Sequence, residues 1–201
     1  MSGTNPPPKP PSADDNAFKK ELVALIPHLR AFARTLTGDP TAADDLAQDA
    51  MMKAWDARAS YQMGTNMKAW TFMILRNQFY SEKRRSWRQS QLDQEAAERT
   101  LVAVDDPESP VALDELRLAL ATLPEEQREA LILVGAGGFA YEEAAEICQC
   151  AVGTVKSRVS RARKALQATL EKGGYARDGR AAGDAMRSIL AAADRLSSVR
   201  N

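Results

Sequence analysis

From Phe18 to Leu36 the apolar residues fall at Leu22, Leu25, Ile26, Leu29, Phe32, Ala33 and Leu36, and this spacing of three and four recurs along most of the chain. Such spacing lines one face of a helix, whereas a half-buried strand would alternate residue by residue. No segment shows that alternation convincingly, so the pattern predicts an all-α fold. Pro27 interrupts the first stretch and should kink it or split it in two, because proline removes a helical hydrogen bond. Gly38-Asp39-Pro40 stops it. A second helix is expected from near Thr41 to about Arg58, its stripe running through Ala42, Leu46, Asp49 or Ala50, Lys53 and Ala54, with Met52 and Trp55 beside it. After a turn at Gln62 to Gly64, Thr65 or Asn66 can cap a long helix from Met67 to about Trp87.

The pattern lapses between Gln89 and Pro110, where Asp93, Glu95, Glu98, Asp105, Asp106 and Glu108 dominate and Pro107 and Pro110 intervene. This reads as an acidic linker between two small helical domains. The expected organisation is a disordered tail at 1–16, a first domain at 17–88, the linker at 89–110, a second domain at 111–172 and an extension at 173–201 with one amphipathic helix. In the second domain Leu113, Leu116, Leu120 and Leu123 line one helix. Pro124 can open the next, whose early Glu125, Glu126 and Glu129 suit the positive end of the helix dipole. Gly135 to Gly138 break it, and two helices follow, Tyr141 to about Cys148 and Val152 to about Leu170.

Lys plus Arg equals Asp plus Glu at 27 each, a balance that alone argues against a purely nucleic-acid-binding chain. The sign of the charge nevertheless changes from segment to segment. No run approaches the roughly 18 apolar residues of a membrane span, and the Pro-rich start is unlike a signal peptide. Cys148 and Cys150 stand too close for a routine disulfide framework, so a soluble protein of a reducing cytoplasm is expected. His28 is the only histidine, and a closed zinc site needs about four ligands, so the cysteines read as small packing groups and no metal is expected. Gly135 to Gly138 lacks the strand and lysine of a phosphate loop and reads as a turn. With no nucleophile–base–acid constellation, neither a catalytic residue nor a cofactor is expected.

The clearest chemistry lies between Tyr141 and Leu166, where helix, tight turn and helix fit within the length of a helix-turn-helix. Ala144 and Ala145 are small where two helices would cross, and Val155, Val159, Ala162 and Leu166 form an inward stripe. Outward stand Thr154, Lys156, Ser157, Arg158, Ser160, Arg161, Arg163 and Lys164, with no acid among them. Arginine and lysine can read guanine edges or neutralise phosphate, and hydroxyls can donate to either. A generic basic surface helix is the bland alternative.

In the long helix of the first domain one stripe reads Trp70, Met73, Asn77, Tyr80, Arg84 and Trp87, while Phe72, Leu75 and Phe79 on another face supply core contacts. Arg76, Lys83, Arg85 and Arg88 surround the stripe. Rings interleaved with cations suit unpaired nucleic acid, whose bases stack while the cations hold the backbone. Trp70 suits a helix-bundle core as well as a base. The helix from Asp44 to Trp55 is instead acid-rich and amphipathic, with long Met and Trp side chains, a mixture found at protein interfaces.

Together these segments resemble the extracytoplasmic-function (ECF) sigma factors of bacterial RNA polymerase, over about residues 17–170. Asp44-Asp-Leu-Ala-Gln-Asp49 looks like the family's polymerase-docking motif. The resemblance thus implies contacts from Asp44, Asp45, Leu46, Gln48, Asp49, Met52 and Trp55 to the β and β′ subunits of the core enzyme. Trp70 through Asn77 to Arg85 looks like the −10 segment, and the loop from Ala57 to Asn66 stands where the family captures a flipped non-template base. Implied −10 contacts are Tyr61, Gly64, Thr65, Asn66, Trp70, Arg76, Asn77, Tyr80, Lys83, Arg84, Arg85 and Arg88. The helix-turn-helix looks like the −35 module, which would give its eight outward residues to the −35 duplex, and Leu123-Pro-Glu-Glu-Gln-Arg128 resembles the helix start before it.

The wording of Gly64 to Trp70, Asn77 to Ser81 and Tyr141 to Cys148 is similar to the general-stress (EcfG-type) subgroup, in which a small anti-sigma protein holds the sigma factor. Gln149 departs from the family, which commonly has glycine at that turn. The resemblance makes the neutral total intelligible, with basic helices for promoter DNA and acidic segments for polymerase. Two rivals are a sigma-like decoy that binds only an anti-sigma protein and a conventional helix-turn-helix regulator. Decoys usually carry a receiver domain, for which the roughly 30 residues after Lys172 are too few. An ordinary regulator leaves the first domain unexplained.

Overall fold

Pro27 splits the first helical stretch in two. In a computed structural model, which describes residues 13–92, 116 and 118–171, α1 (Ala13–Ala24) and α2 (Ile26–Thr37) meet at Leu25, and Pro27 lies in the first turn of α2. There its missing N–H would have had no intrahelical partner. Residues 13–16, expected within the tail, instead open α1. The expected linker and C-terminal helix lie outside the described residues, apart from the linker's first residues, which continue α4.

Gly38 closes α2 with φ 73°, its N–H donating to the Arg34 carbonyl at 3.0 Å. Asp39 then caps α3 (Pro40–Asp56), accepting from the Ala42 N–H at 2.7 Å. The buried face of α3 is Ala43, Leu46, Ala47, Ala50 and Ala54. Of Asp49 or Ala50 it is Ala50 that faces inward, and Ala42 and Lys53, expected on that stripe, are exposed. Paired alanines at 42–43 make the phase ambiguous in the sequence, and packing decides it. A 3₁₀ turn (Arg58–Ser60) leads to α4 (Met67–Leu92). Asn66 is its cap, with Oδ1 accepting from the Ala69 N–H at 3.0 Å.

Residues 118–121 are helical and bring Leu116, Ala119 and Leu123 into the core. Then come α5 (Glu125–Gly135), α6 (Tyr141–Cys148) and α7 (Val152–Glu171). Gly137 is required in the turn after α5, because a Cβ there would stand 2.5 Å from the Leu133 carbonyl oxygen and 2.9 Å from the Phe139 ring. The expected stripe of α7 is buried throughout, at Val155, Val159, Ala162 and Leu166.

The two helical groups share one core. Phe72 of α4 stacks on Phe32 at 4.8 Å and meets the edge of Phe139, beyond α5, at 5.0 Å. A smaller cluster, Phe18, Leu22, Ala54, Tyr61 and Met67, lies where α1 crosses α3 and the start of α4.

Gln149 joins α6 to α7 with φ 52°, the left-handed conformation in which glycine is unstrained. Gln149→Gly should leave stability unchanged or raise it by up to about 1 kcal/mol. Gln149→Val, branched at Cβ, should lower it by about 1–2 kcal/mol. Urea denaturation of both variants checks the pair.

Candidate nucleic-acid interface

Most of the basic face of α7 points to solvent. Lys156, Ser157, Ser160, Arg161 and Lys164 are exposed, and Thr154, Arg158 and Arg163 are half-buried at its margins. The Arg161 guanidinium lies 3.3 Å from the Ser157 hydroxyl, whose proton goes to the Thr154 carbonyl at 2.9 Å. Lys156 stands 5.7 Å from the centre of the Tyr141 ring. Arg158 behaves differently. It turns back from the exposed face and pairs with Glu126 of α5.

Part of the basic face of α4 is occupied from within the chain. Arg76 forms a two-pronged pair with Glu129 of α5, Nε to Oε1 at 2.6 Å and Nη2 to Oε2 at 3.4 Å. The Tyr80 hydroxyl reaches the same carboxylate at 3.3 Å. Lys83 pairs with Glu125. At the other end Asn66 Nδ2 donates to Glu143 Oε1 at 2.8 Å, while Glu143 Oε2 accepts the Ala140 N–H and so caps α6. Lys68 donates to the Gly137 carbonyl at 2.6 Å and lies 4.9 Å from the Phe139 ring centre.

Burial dominates the electrostatics here. The Glu129 side chain has no exposed surface, and burial pushes its carboxyl above the usual carboxylate range even though Arg76 pulls it down. Burial likewise pushes the Tyr80 phenol up, helped by the charge of Glu129, and pulls the Lys68 ammonium down.

The remaining expected −10 residues separate into two sets. Asn77, Arg84, Arg85 and Arg88 are exposed along α4, as are Gly64 and Thr65 in the preceding loop. Tyr61 is buried, its hydroxyl donating to the Thr65 carbonyl at 2.8 Å, and Trp70 packs on it with ring centres 5.0 Å apart. Trp70 is half-buried and also meets the edge of the Phe18 ring at 6.1 Å.

On α3 the expected docking residues also divide. Asp45, Gln48, Asp49 and Met52 form a continuous exposed face, with Met52 59% accessible. Asp44 pairs with Arg30 at 3.2 Å. Leu46 is core, and Trp55 packs between Phe18 and the Arg58 guanidinium.

Glu129, Glu143 and Phe139 were not singled out by their sequence as site residues. Glu129 carried a signal, an acid set directly against the apolar run from Ala130 to Val134. The acids of α5 read as partners of the helix dipole, and nothing local said that one of them faces a distant arginine.

Comparison with known proteins agrees with this architecture. The family model described as Sigma-70 region 2 matches residues 22–89, and Sigma-70, region 4 matches residues 113–166. The chain is 46% identical over 155 residues to the ECF RNA polymerase sigma factor EcfG of Rhodopseudomonas palustris, covering 77% of this chain and 86% of that protein. It is 33% identical over 135 residues to the ECF RNA polymerase sigma-E factor of Escherichia coli, covering 61% and 70% respectively. Among solved structures, the sigma factor RpoE in complex with the anti-sigma factor NepR, from Bartonella quintana, superimposes with a TM-score of 0.71 at 47% identity. That match covers 78% of this chain and 98% of RpoE.

The all-α fold and the two matched regions thus define a two-domain RNA polymerase sigma factor. More narrowly, the chain belongs to the ECF sigma factors of the EcfG type, alternative sigma factors that direct polymerase to promoters.

Proposed function

We propose that the chain divides promoter recognition between residues 17–88 and residues 111–172. The second unit reads the −35 duplex through the exposed face of α7. The first docks on core polymerase through Asp45, Gln48, Asp49 and Met52 of α3, and it engages the melted −10 strand through α4 and the loop before it. The observation that carries this reading is the segregation of charge, with an acid-free basic face on α7 and an acid-rich apolar face on α3. Neither role uses a catalytic residue, and both belong in the cytoplasm, where polymerase works. Because RpoE was solved with an anti-sigma protein, we take this chain to be held by a small partner of that kind within a general stress response. Since Glu129, Glu125 and Glu143 cover part of α4, engagement of the −10 strand requires α4 to part from α5 and α6.

Run-off transcription with purified core enzyme on a pool of promoter fragments tests the reading. Specific transcripts should appear only when this protein is added. Lys156→Ala and Arg161→Ala should each weaken binding to a −35 duplex, by about 1–3 kcal/mol for a lost base contact or by a salt slope shallower by about one for a lost phosphate contact. No transcript, together with no binding to core, would overturn the reading.

A further inference from the structure

Arg158 lies on the recognition helix, yet its side chain is only 14% exposed, while Lys156, Ser157, Ser160 and Arg161 on either side are open to solvent. Helical geometry accounts for the difference. At about 100° per residue, Arg158 sits about 60° from Val155 at the centre of the buried stripe, whereas Ser157, Ser160 and Lys164 cluster opposite it. From that flank the guanidinium reaches inward and ties three elements together. Nη2 pairs with Glu126 in the first turn of α5, and Nη1 lies 3.6 Å from the Cys150 sulfur in the turn before α7. The carboxylate is the outer member of the pair, with 63% of its side chain exposed. Engaged on both prongs, Arg158 has little surface left to offer a base.

We propose that Arg158 is a positioning residue for −35 recognition. Held by Glu126 and Cys150, it fixes the angle at which α7 leaves the turn, so that Lys156, Ser160 and Arg161 meet the major groove in register. Glu126 is therefore a specificity determinant although it lies on another helix and makes no DNA contact. The pair suits this role because arginine offers a planar fork that a carboxylate grips directionally, so the contact constrains orientation as well as distance. A helix anchored only by its apolar stripe can still rock about that stripe. A polar brace on one flank opposes the rocking. This inference rests on the reading of α7 as the −35 helix.

The test measures the full chain's affinity for a −35 duplex across a salt series and its base preference on a randomised −35 library. The proteins are wild type, Glu126→Gln, Arg158→Ala, the exchanged pair Glu126→Arg with Arg158→Glu, and Arg161→Ala. Thermal melting of each variant identifies any that fail to fold, and Glu126→Gln, at an exposed position, keeps the test informative if Arg158→Ala does not. Glu126→Gln and Arg158→Ala should both flatten base preference across the whole site, leave the log–log salt slope unchanged, and be substantially restored in the exchanged pair. A role in stability alone would lower the melting temperature without altering base preference.

The proposal is overturned if Arg158→Ala makes the slope shallower by about one, the mark of a lost phosphate contact. It is overturned equally if Arg158→Ala abolishes roughly tenfold discrimination at a single base pair while Glu126→Gln binds as wild type or better. Unaltered base preference in both variants also overturns it. Arg161→Ala leaves the brace intact and reports on the underlying reading. If it too binds as wild type, α7 is not the −35 helix and both conclusions fall.

Discussion

Glu129→Ala should destabilise the chain by about 3 kcal/mol and loosen α4 from α5, because removing one member of a buried ion pair strands the other. The stranded group is Arg76, whose side chain is 13% exposed and has Glu129 as its ion-pair partner. Tyr80 would lose the same carboxylate. Glu129→Gln keeps the volume and an acceptor, so it should cost less, and the comparison separates the lost charge from the cavity. The pair also gives stability a pH dependence of known sign. Burial raises the Glu129 pKa in the folded chain above the usual 4.5. A raised carboxyl binds protons more tightly when folded, so its contribution is fully present below the unfolded pKa and fades as pH rises through the folded one. The groups facing it are Arg76, Tyr80, Glu125 and Cys148. Stability of the wild type relative to Glu129→Gln should therefore rise as pH falls from above the raised pKa toward 4.5. Paired urea titrations across that window measure it, and a relative stability that falls on acidification would sink the assignment.

The helices were legible in the sequence because each depends on its own periodicity and caps. Asn66, Asp39 and Pro27 act within one turn of where they stand, and the stripe of α7 needed no knowledge of the rest of the chain. The phase of α3 was less legible, since alanines at 42, 43, 47, 50 and 54 present several nearly equivalent faces. What the sequence did not display was the meeting of α4 with α5 and α6. Arg76 and Glu129 lie far apart along the chain, and each read sensibly alone, one as a nucleic-acid contact and the other as an acid in the early turns of its helix. Tyr61 and Trp70 show the same limit. An aromatic side chain suits a base stack and a core equally well, and the neighbour on which both rings pack, Phe18 of α1, lies far away in the sequence. Arg158 is the analogous case on α7, where spacing puts it beside the readers and an acid on another helix draws it away.

Locking α4 to α5 should silence transcription while sparing −35 binding. Lys83 and Glu125 form an ion pair across this contact, so cysteines at the two positions are placed for a short bismaleimide with a cleavable disulfide core. The background should carry Cys150→Ser, because Cys150 is half-buried. Cys148 can stay, since burial pushes its thiol up to about 12 and leaves almost no thiolate at neutral pH. In the locked protein Arg76 and Tyr80 stay covered, whereas the exposed face of α7 is untouched. Run-off transcription should fall to background, while affinity for a −35 duplex, compared before and after locking in the same Cys150→Ser protein, should change by less than about twofold, within the half kilocalorie typical of independent sites. Cleaving the bridge with reductant should restore transcription in the same molecules, which removes the effect of losing the Lys83 and Glu125 side chains from the comparison. A locked protein that transcribes as well as the released one would mean that the covered face of α4 plays no part in −10 engagement. The exposed arginines at 84, 85 and 88 would then have to carry the contact alone.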